Sequence, residues 1–343
     1  MGTSWRARFR AGASTPSLTV GAEVLAGPVL RRGAERWAAA FRSAGLVPGD
    51  RLVTLLPTSP CLAQVLLAGL WEGLTLAPAR PGTDPAAAAD AADATAAVVA
   101  GRLDLGWAWP GEGADGPEAG PTSLRPAGPP TPLARLLCTG GPGDAWPALL
   151  DDNLEHAVDG VLGALQPRHG RWLSVLPWHT PAGLLLDLLP AMLSADAIMR
   201  PSPDDEPSLP DVANSVDQWQ PTHTILPLEL VRRLWQRWGS LDPLRGLVDG
   251  LASGPGLDPP LATHLATTRL RTHRGAPELS CLVTIGEPGI WRPGTLGRPV
   301  GCVLTAGPGD SLVVRGRPVA GGRWLNGHLQ LVDRRAPVVV AFA

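Results

Sequence analysis

The chain has 343 residues, 44% of them hydrophobic, enough apolar material for a sizeable buried core in an ordinary globular protein. Its formal net charge of -2 gives no electrostatic reason to expect nucleic acid or an anionic membrane surface as a partner. No stretch approaches the ~20 consecutive apolar residues that span a bilayer, and the arginines between Met1 and Phe9 have no apolar run behind them, so the cytoplasm is the expected compartment.

From Leu30, apolar residues recur at Ala34, Trp37, Ala38 and Phe41, with Arg31, Arg32, Glu35 and Arg42 between them. That spacing predicts a helix, and Gly45 is placed to end it. Pro48-Gly49-Asp50 is a turn, Arg51 to Leu56 a strand, Pro60 to Glu72 a second helix and Leu74 to Ala77 a second strand. Asp84-Pro85 reads as an N-cap and first helical residue, and Ala96 to Ala100 as a small-residue strand. Strands separated by helices point to a parallel sheet built from βαβ units.

Between Asp104 and Pro132 the composition shifts to Gly, Pro, Ala and Glu, as in a surface linker. The formal GxGxxG at Gly111 to Gly116 lies there, neither following a strand nor opening a helix, as a dinucleotide site requires. Alternation then resumes. Strands are expected at Leu133 to Cys138, Trp172 to Leu176, Ala195 to Met199, Thr222 to Leu226 and Gly246 to Val248. Helices are expected at Asn153 to Leu165, Ala182 to Leu193, Val212 to Trp219, Leu228 to Trp238 and Pro259 to Ala266. From Thr295 onward, short strands at Cys302 to Thr305, Ser311 to Arg315 and His328 to Val332, joined by glycine turns, suggest a small antiparallel unit. The expected division is therefore a first α/β subdomain over 1–103, a linker over 104–132, a second α/β subdomain over 133–293 and a small β subdomain over 294–343.

All 29 basic residues are arginines and there is no tyrosine. A chain without lysine cannot perform chemistry that needs an ε-ammonium, because arginine differs in shape, hydration and pKa. The four cysteines are widely separated with no CxxC pair, so no zinc site or disulfide framework is read. The chain has no GxSxG elbow and no HExxH pair, and its seven histidines are scattered.

Several segments resemble, in family order, the adenylate-forming (AMP-binding) superfamily of acyl-CoA and aryl-CoA synthetases, luciferases and peptide-synthetase adenylation domains. Gly33 to Pro81 is similar to that family's first α/β block in its helix, "GD-x-V" strand and "vPl-P" strand. Ser174 to Gly183, SVLPWHTPAG, resembles the "lPl-H-x-x-G" segment near the acyl pocket, and Gln220 to Leu234 the strand and helix that follow. Leu244 to Leu261 parallels the "sGgaplpp" segment, Gly294 to Gly322 the "GrPvpG…GellvrG" run, and Asn326 to Arg335 the "dGyl-ivDR" hairpin before the interdomain hinge. The resemblance implies two successive parallel-sheet α/β subdomains followed by a small antiparallel β subdomain. It runs out at Ala343, so the family's C-terminal catalytic domain is expected to be absent.

It also implies a site and shows where that site departs from the pattern. Adenylation joins a carboxylate to the α-phosphorus of ATP, and catalysis is mostly positioning plus neutralisation of phosphate charge. The family's phosphate loop corresponds to Cys138 to Pro147, where Thr139, Gly140, Gly141 and Gly143 could still accept an anion. There, however, Pro142 removes a donor, Asp144 adds repulsion and no lysine closes the loop, so a plain strand-to-helix connection is the competing reading. Arg274, Gly275 and Glu278 occupy the "YG-x-TE" position: Arg274 replaces the aromatic, and Glu278 is either a magnesium ligand or a loop carboxylate. The "TGD" aspartate has no counterpart, since Trp324-Leu325 runs straight into Asn326-Gly327-His328, while Arg334 matches the arginine near the ribose. His179, Gly183, Ser253 and Gly254 are the acyl-pocket candidates, with a capping or core role as the alternative for His179.

No catalytic residue or bound metal is assigned on this basis, and ATP, AMP and Mg enter only if the vestigial site still binds. The expected function is an AMP-dependent ligase-like protein, catalytically impaired, acting as a binding or scaffolding partner in a biosynthetic pathway. The alternative is a ligase subunit that activates a carboxylic acid with ATP, its C-terminal domain coming from another polypeptide. Expected partners are a biosynthetic enzyme, a carrier protein or that separate domain.

Overall fold

The computed structural model describes residues 15–99, 102–104, 134–138, 145–167, 169–247, 249–253, 257–291, 297–307, 311–325, 328–333 and 335–341. Period-two alternation along the strands sets the architecture. Trp172, Ile198, Ile225 and Leu251 face one shared core, while the adjoining Leu173, Leu226 and Ala252 face another. In a second sheet, Leu52, Leu76, Leu136 and Leu149 turn to the same shared core, and Val53, Ala77, Leu137 and Ala148 turn away. Two sheets, each buried on both faces, follow directly.

The first is nine-stranded, in the order Arg298–Pro299, Thr284–Ile285, Leu270–Arg274, Asp249–Ser253, His223–Pro227, Arg171–Ser174, Ala197–Arg200, Ser17–Val20, Glu23–Leu25. Its strands from Leu270–Arg274 through Ser17–Val20 run parallel. The second is eight-stranded, in the order His328–Leu331, Gly322–Leu325, Ala145–Leu150, Ala134–Leu137, Thr75–Pro78, Arg51–Thr54, Ala96–Val99, Arg102–Asp104. Between the sheets lie the helices Gly27–Ser43, Pro60–Glu72, Asp151–Leu165 and Leu189–Ser194, the last preceded without a break by a π-helical turn, Gly183–Leu188. Helix Pro60–Glu72 is buried nearly all round, as a helix between two sheets must be. Ser59 caps it, accepting from the Leu62 amide at 3.2 Å, and Gly73 ends it at a φ of 77°. Ser59→Ala should cost about 1 kcal/mol in urea unfolding. Helices Leu209–Trp219, Leu228–Trp238 and Pro259–Leu265 cover the outer face of the nine-stranded sheet, and Pro85–Ala92 that of the other.

A three-stranded antiparallel sheet, Cys302–Ala306, Ser311–Gly316 and Val338–Ala341, packs its inner side on Leu279 and Val283. The mixed α/β class with a small antiparallel unit is thus the observed one.

Several local expectations are corrected. Gly246 and Leu247, read as the start of a strand, are not in one: Pro243 lies in a 3-10 turn, Asp242–Gly246, and the described strand is Asp249–Ser253. Residues 138 to 147 are not a strand-to-helix connection, because Ala145–Leu150 is itself a strand, antiparallel to Ala134–Leu137. Its Pro147, whose carbonyl accepts from the Cys138 amide at 2.9 Å, disguises it. The hairpin of Gly322–Leu325 and His328–Leu331 joins the eight-stranded sheet through Ala145–Leu150 rather than the small sheet. Nothing in the sequence reading marked Ser17–Val20, which pairs in parallel with Ala197–Arg200. The segment read as a linker, with its GxGxxG, lies almost wholly outside the described residues.

Candidate functional site

In parallel sheets, ligands gather at the carboxyl ends of the strands. Ser253 ends its strand opposite Pro227, Arg274 ends the neighbouring strand, and His179 sits in the turn that follows Arg171–Ser174. These candidates therefore share one edge of the nine-stranded sheet. Thr139, Gly140, Gly141, Gly143, Gly254 and Arg334 lie outside the described residues.

Glu278 follows in a 3-10 turn, Pro277–Leu279. Burial, then the neighbouring Cys281 thiol and the Glu278 carboxylate, raise the Cys138 thiol. Burial and then Glu278 push Cys281 up to about 12. The turn that carries Glu278 packs on strand Ala145–Leu150, whose Pro147 carbonyl accepts from the Cys138 amide. Both thiols stay protonated at neutral pH. Gly275 permits this close packing, since a β-carbon there would fall 1.9 Å from the Cys281 carbonyl oxygen. His273 is buried; burial first and Arg274 second hold it neutral, down to about 4.

His179 is nearly buried, and its Nδ1 lies 3.4 Å from Asp205 Oδ1. The contact fails hydrogen-bond geometry, so Nδ1 has no hydrogen-bond partner and the interaction is Coulombic only. Burial lowers the imidazole pKa, Asp205 opposes that, and Arg80 and Arg200 add to it, so the ring is neutral at pH 7. Asp205 Oδ2 is also 3.4 Å from Arg80 Nε, a contact linking the edges of the two sheets.

Beneath His179 is a polar network that sequence reasoning missed. Asp187, fully buried in the π-helical turn, accepts from Trp172 Nε1 at 2.6 Å, Ser174 Oγ at 2.7 Å and the Leu176 amide at 3.2 Å. Trp178 Nε1 donates to Ser174 Oγ at 2.8 Å. Arg200, also fully buried, donates to the Leu176 carbonyl at 2.8 Å and the Asp204 carbonyl at 2.6 Å, its guanidinium carbon 5.8 Å from the Trp178 ring centre. The one available signal was a lone carboxylate inside the apolar run Leu184 to Leu189. Gly183, an acyl-pocket candidate, packs against backbone: a β-carbon there would meet the Pro177 carbonyl oxygen at 1.9 Å.

No protein-family model matches the chain, and no curated protein matches it either. Solved structures do. E. coli MenE, bound to a phenylether-linked analogue of OSB-AMS, aligns over 98% of this chain and 73% of its own at 20% identity, with a TM-score of 0.70. The N-terminal subdomain of Klebsiella oxytoca NpsA, in complex with anthranilyl-AMSN, aligns over 93% and 87% at 17% identity, TM-score 0.72. A mutant coronafacic acid ligase from Pectobacterium brasiliense aligns over 98% and 74% at 14% identity, TM-score 0.76. The chain has the fold of the adenylate-forming enzymes.

On this adenylate-forming fold, the donor set suits a resident magnesium ion poorly. Among the described residues no group of three His, Cys, Asp or Glu side chains could hold a metal, and Glu278 has two protonated thiols for neighbours. One carboxylate is a weak site for an ion that demands six oxygen ligands. The edge can offer a neutral imidazole at His179 and a half-buried guanidinium at Arg274, whose pKa burial lowers. Those groups can orient an acyl chain or stack on a planar ring.

Proposed function

We propose that this adenylate-forming-fold protein is catalytically impaired and serves as a binding or scaffolding partner in a biosynthetic pathway. One observation carries the reading: the chain contains no lysine, so none can close the candidate phosphate loop that follows Cys138. Asp144 instead adds a negative charge to that loop in sequence. Like charges 4 Å apart repel by roughly 1 to 4 kcal/mol in wet to moderately screened surroundings. A triphosphate brought there meets repulsion where pyrophosphate expulsion needs fixed positive charge. The natural partners are a biosynthetic enzyme or a carrier protein that docks on this frame.

The test is ATP–pyrophosphate exchange by the purified chain with a panel of aliphatic and aryl acids. No exchange is expected; robust exchange with any acid overturns the proposal. Titration calorimetry with ATP, AMP and an acyl-sulfamoyl adenosine mimic adds a second readout, with dissociation constants weaker than roughly 10 μM expected for all three. The intact two-sheet frame favours a second reading, a ligase subunit completed by a separate C-terminal domain. Exchange that appears only on adding such a polypeptide supports that reading over the first.

A further inference from the structure

The turn from Leu176 to Gly183 is gripped at nearly every polar point. Its Leu176 amide is held by Asp187 and its Leu176 carbonyl by Arg200. The Pro177 carbonyl accepts from Thr180 Oγ1 at 2.7 Å and the Thr180 amide at 3.0 Å, and Thr180 Oγ1 accepts from the Gly183 amide at 3.1 Å. Trp178 is tied to Ser174 Oγ, and Ser174 to Asp187. His179 is the residue of this turn whose ring nitrogen Nδ1 is buried and lacks a hydrogen bond. No hydrogen bond at that nitrogen fixes the ring, so the backbone it sits on, with the Coulombic contact to Asp205, sets its direction.

We propose that Asp187 is a positioning residue: its buried carboxylate fixes the Leu176–Gly183 turn, and through it the direction in which His179 is presented at the carboxyl edge of the sheet. Three observations converge on it. A carboxylate with no water around it keeps its place only by accepting hydrogen bonds, and this one accepts three, all from residues that lead into the turn. Asp187 is carried on a π-helical turn, Gly183–Leu188, and such turns are frequent at functional sites. The Ser174 hydroxyl has one proton. It donates that proton to Asp187 while accepting from Trp178, so the network has a single direction as long as Asp187 is ionised. When Asp187 takes up a proton, one of its oxygens becomes a donor facing other donors, so a bond from Trp172, Ser174 or Leu176 must weaken or turn, and the tie from Ser174 to Trp178, next to His179, is disturbed.

Among the described residues, the elements packed on Asp187 bring the following charged and titratable groups toward it. Arg200, from the strand Ala197–Arg200, is the charge that acts on it. His223, from His223–Pro227, stacks on Trp172 with ring centroids 5.9 Å apart. Helix Asp151–Leu165 packs on the π-helical turn and brings His156, whose Nε2 is engaged with the Leu282 carbonyl at 2.9 Å. His179 itself lies in the turn, facing Asp205, Arg80 and Arg200.

The test does not depend on any catalytic activity, so it stands whether or not the proposed function survives. In the wild-type protein, nitrogen–proton NMR should show the indole signals of Trp172 and Trp178 moving together in one step with a midpoint near the Asp187 value of about 6. The carbon signal of the His179 ring should register the same step in addition to its own. In Asp187→Asn the step should vanish from both indoles and from His179; in Ser174→Ala it should persist at the Trp172 indole, which bonds Asp187 directly, and be lost from Trp178, which reaches Asp187 only through Ser174. Amide exchange of Thr180, Gly183 and Leu184 should then quicken by about tenfold relative to helix Gly27–Ser43. A His179 ring blind to the Asp187 step in the wild-type protein overturns the proposal without any variant. So does a quickening shared equally by every element, which marks a stabilising role only.

Discussion

Asn153→Ala should lower the free energy of unfolding by about 4 kcal/mol, summing roughly 1 kcal/mol for each of four hydrogen bonds. Asn153 is fully buried at the start of helix Asp151–Leu165 and uses both ends of its amide. Its Oδ1 accepts from the Leu150 amide at 3.0 Å and the Gly321 amide at 3.1 Å. Its Nδ2 donates to the Arg317 carbonyl at 2.8 Å and the Val319 carbonyl at 2.9 Å. One side chain thereby closes a helix start and staples the segment 317–321 to it. The same segment carries Ala320, whose amide donates to the Glu278 carbonyl at 2.8 Å, and Pro318, whose carbonyl accepts from Ser280 Oγ at 2.6 Å. The loss is therefore expected to spread to the Glu278 turn. Urea unfolding of wild type and variant measures the first effect; amide exchange at Leu279 and Cys281 measures the second. A loss below about 1 kcal/mol shows that water can replace the amide, and the stapling role is then wrong.

What the sequence made legible follows from where the information sits. Helix Pro60–Glu72 could be read to the residue, because its signals are local: Ser59 before it, Pro60 at its start and Gly73 after it. Helix Leu228–Trp238 was equally plain, with an apolar stripe and Gly239 at its end. The strand Ala145–Leu150 was hidden because Pro147 argues against a central strand, and its neighbours Ala134–Leu137 and Gly322–Leu325 come from distant parts of the chain. At the site, His179 was visible through its motif, but the network below it was not. Asp187 reads as an anomaly in an apolar helix until Trp172, Ser174 and Arg200 are brought around it by strand pairing. Glu278 was visible as a residue type, whereas its position beside two buried thiols is a tertiary fact.

The pH dependence of stability should carry a distinct signature of Asp187. Burial raises its carboxyl from the ordinary value of 3.8 to about 6, against the opposing hydrogen bonds from Ser174, Trp172 and Leu176 and the charge of Arg200. A carboxyl raised on folding binds its proton more tightly in the native state than in the unfolded chain. Its favourable contribution is therefore complete below the unfolded pKa and is lost as pH rises through the folded one. Between about pH 4 and about pH 7, the unfolding free energy of the wild-type protein should fall by about 2 kcal/mol relative to that of Asp187→Asn. The two proteins need not be equally stable at any one pH, since the asparagine amide turns one donor toward other donors and carries its own constant penalty. Only the difference in slope belongs to the ionisation, and the other titrating groups cancel from it. Parallel urea midpoints across that range would mean that Asp187 ionises as easily in the folded chain as in the unfolded one. The fold could then carry the charged acceptor at no cost, because three donors and the Arg200 charge would offset the whole loss of hydration.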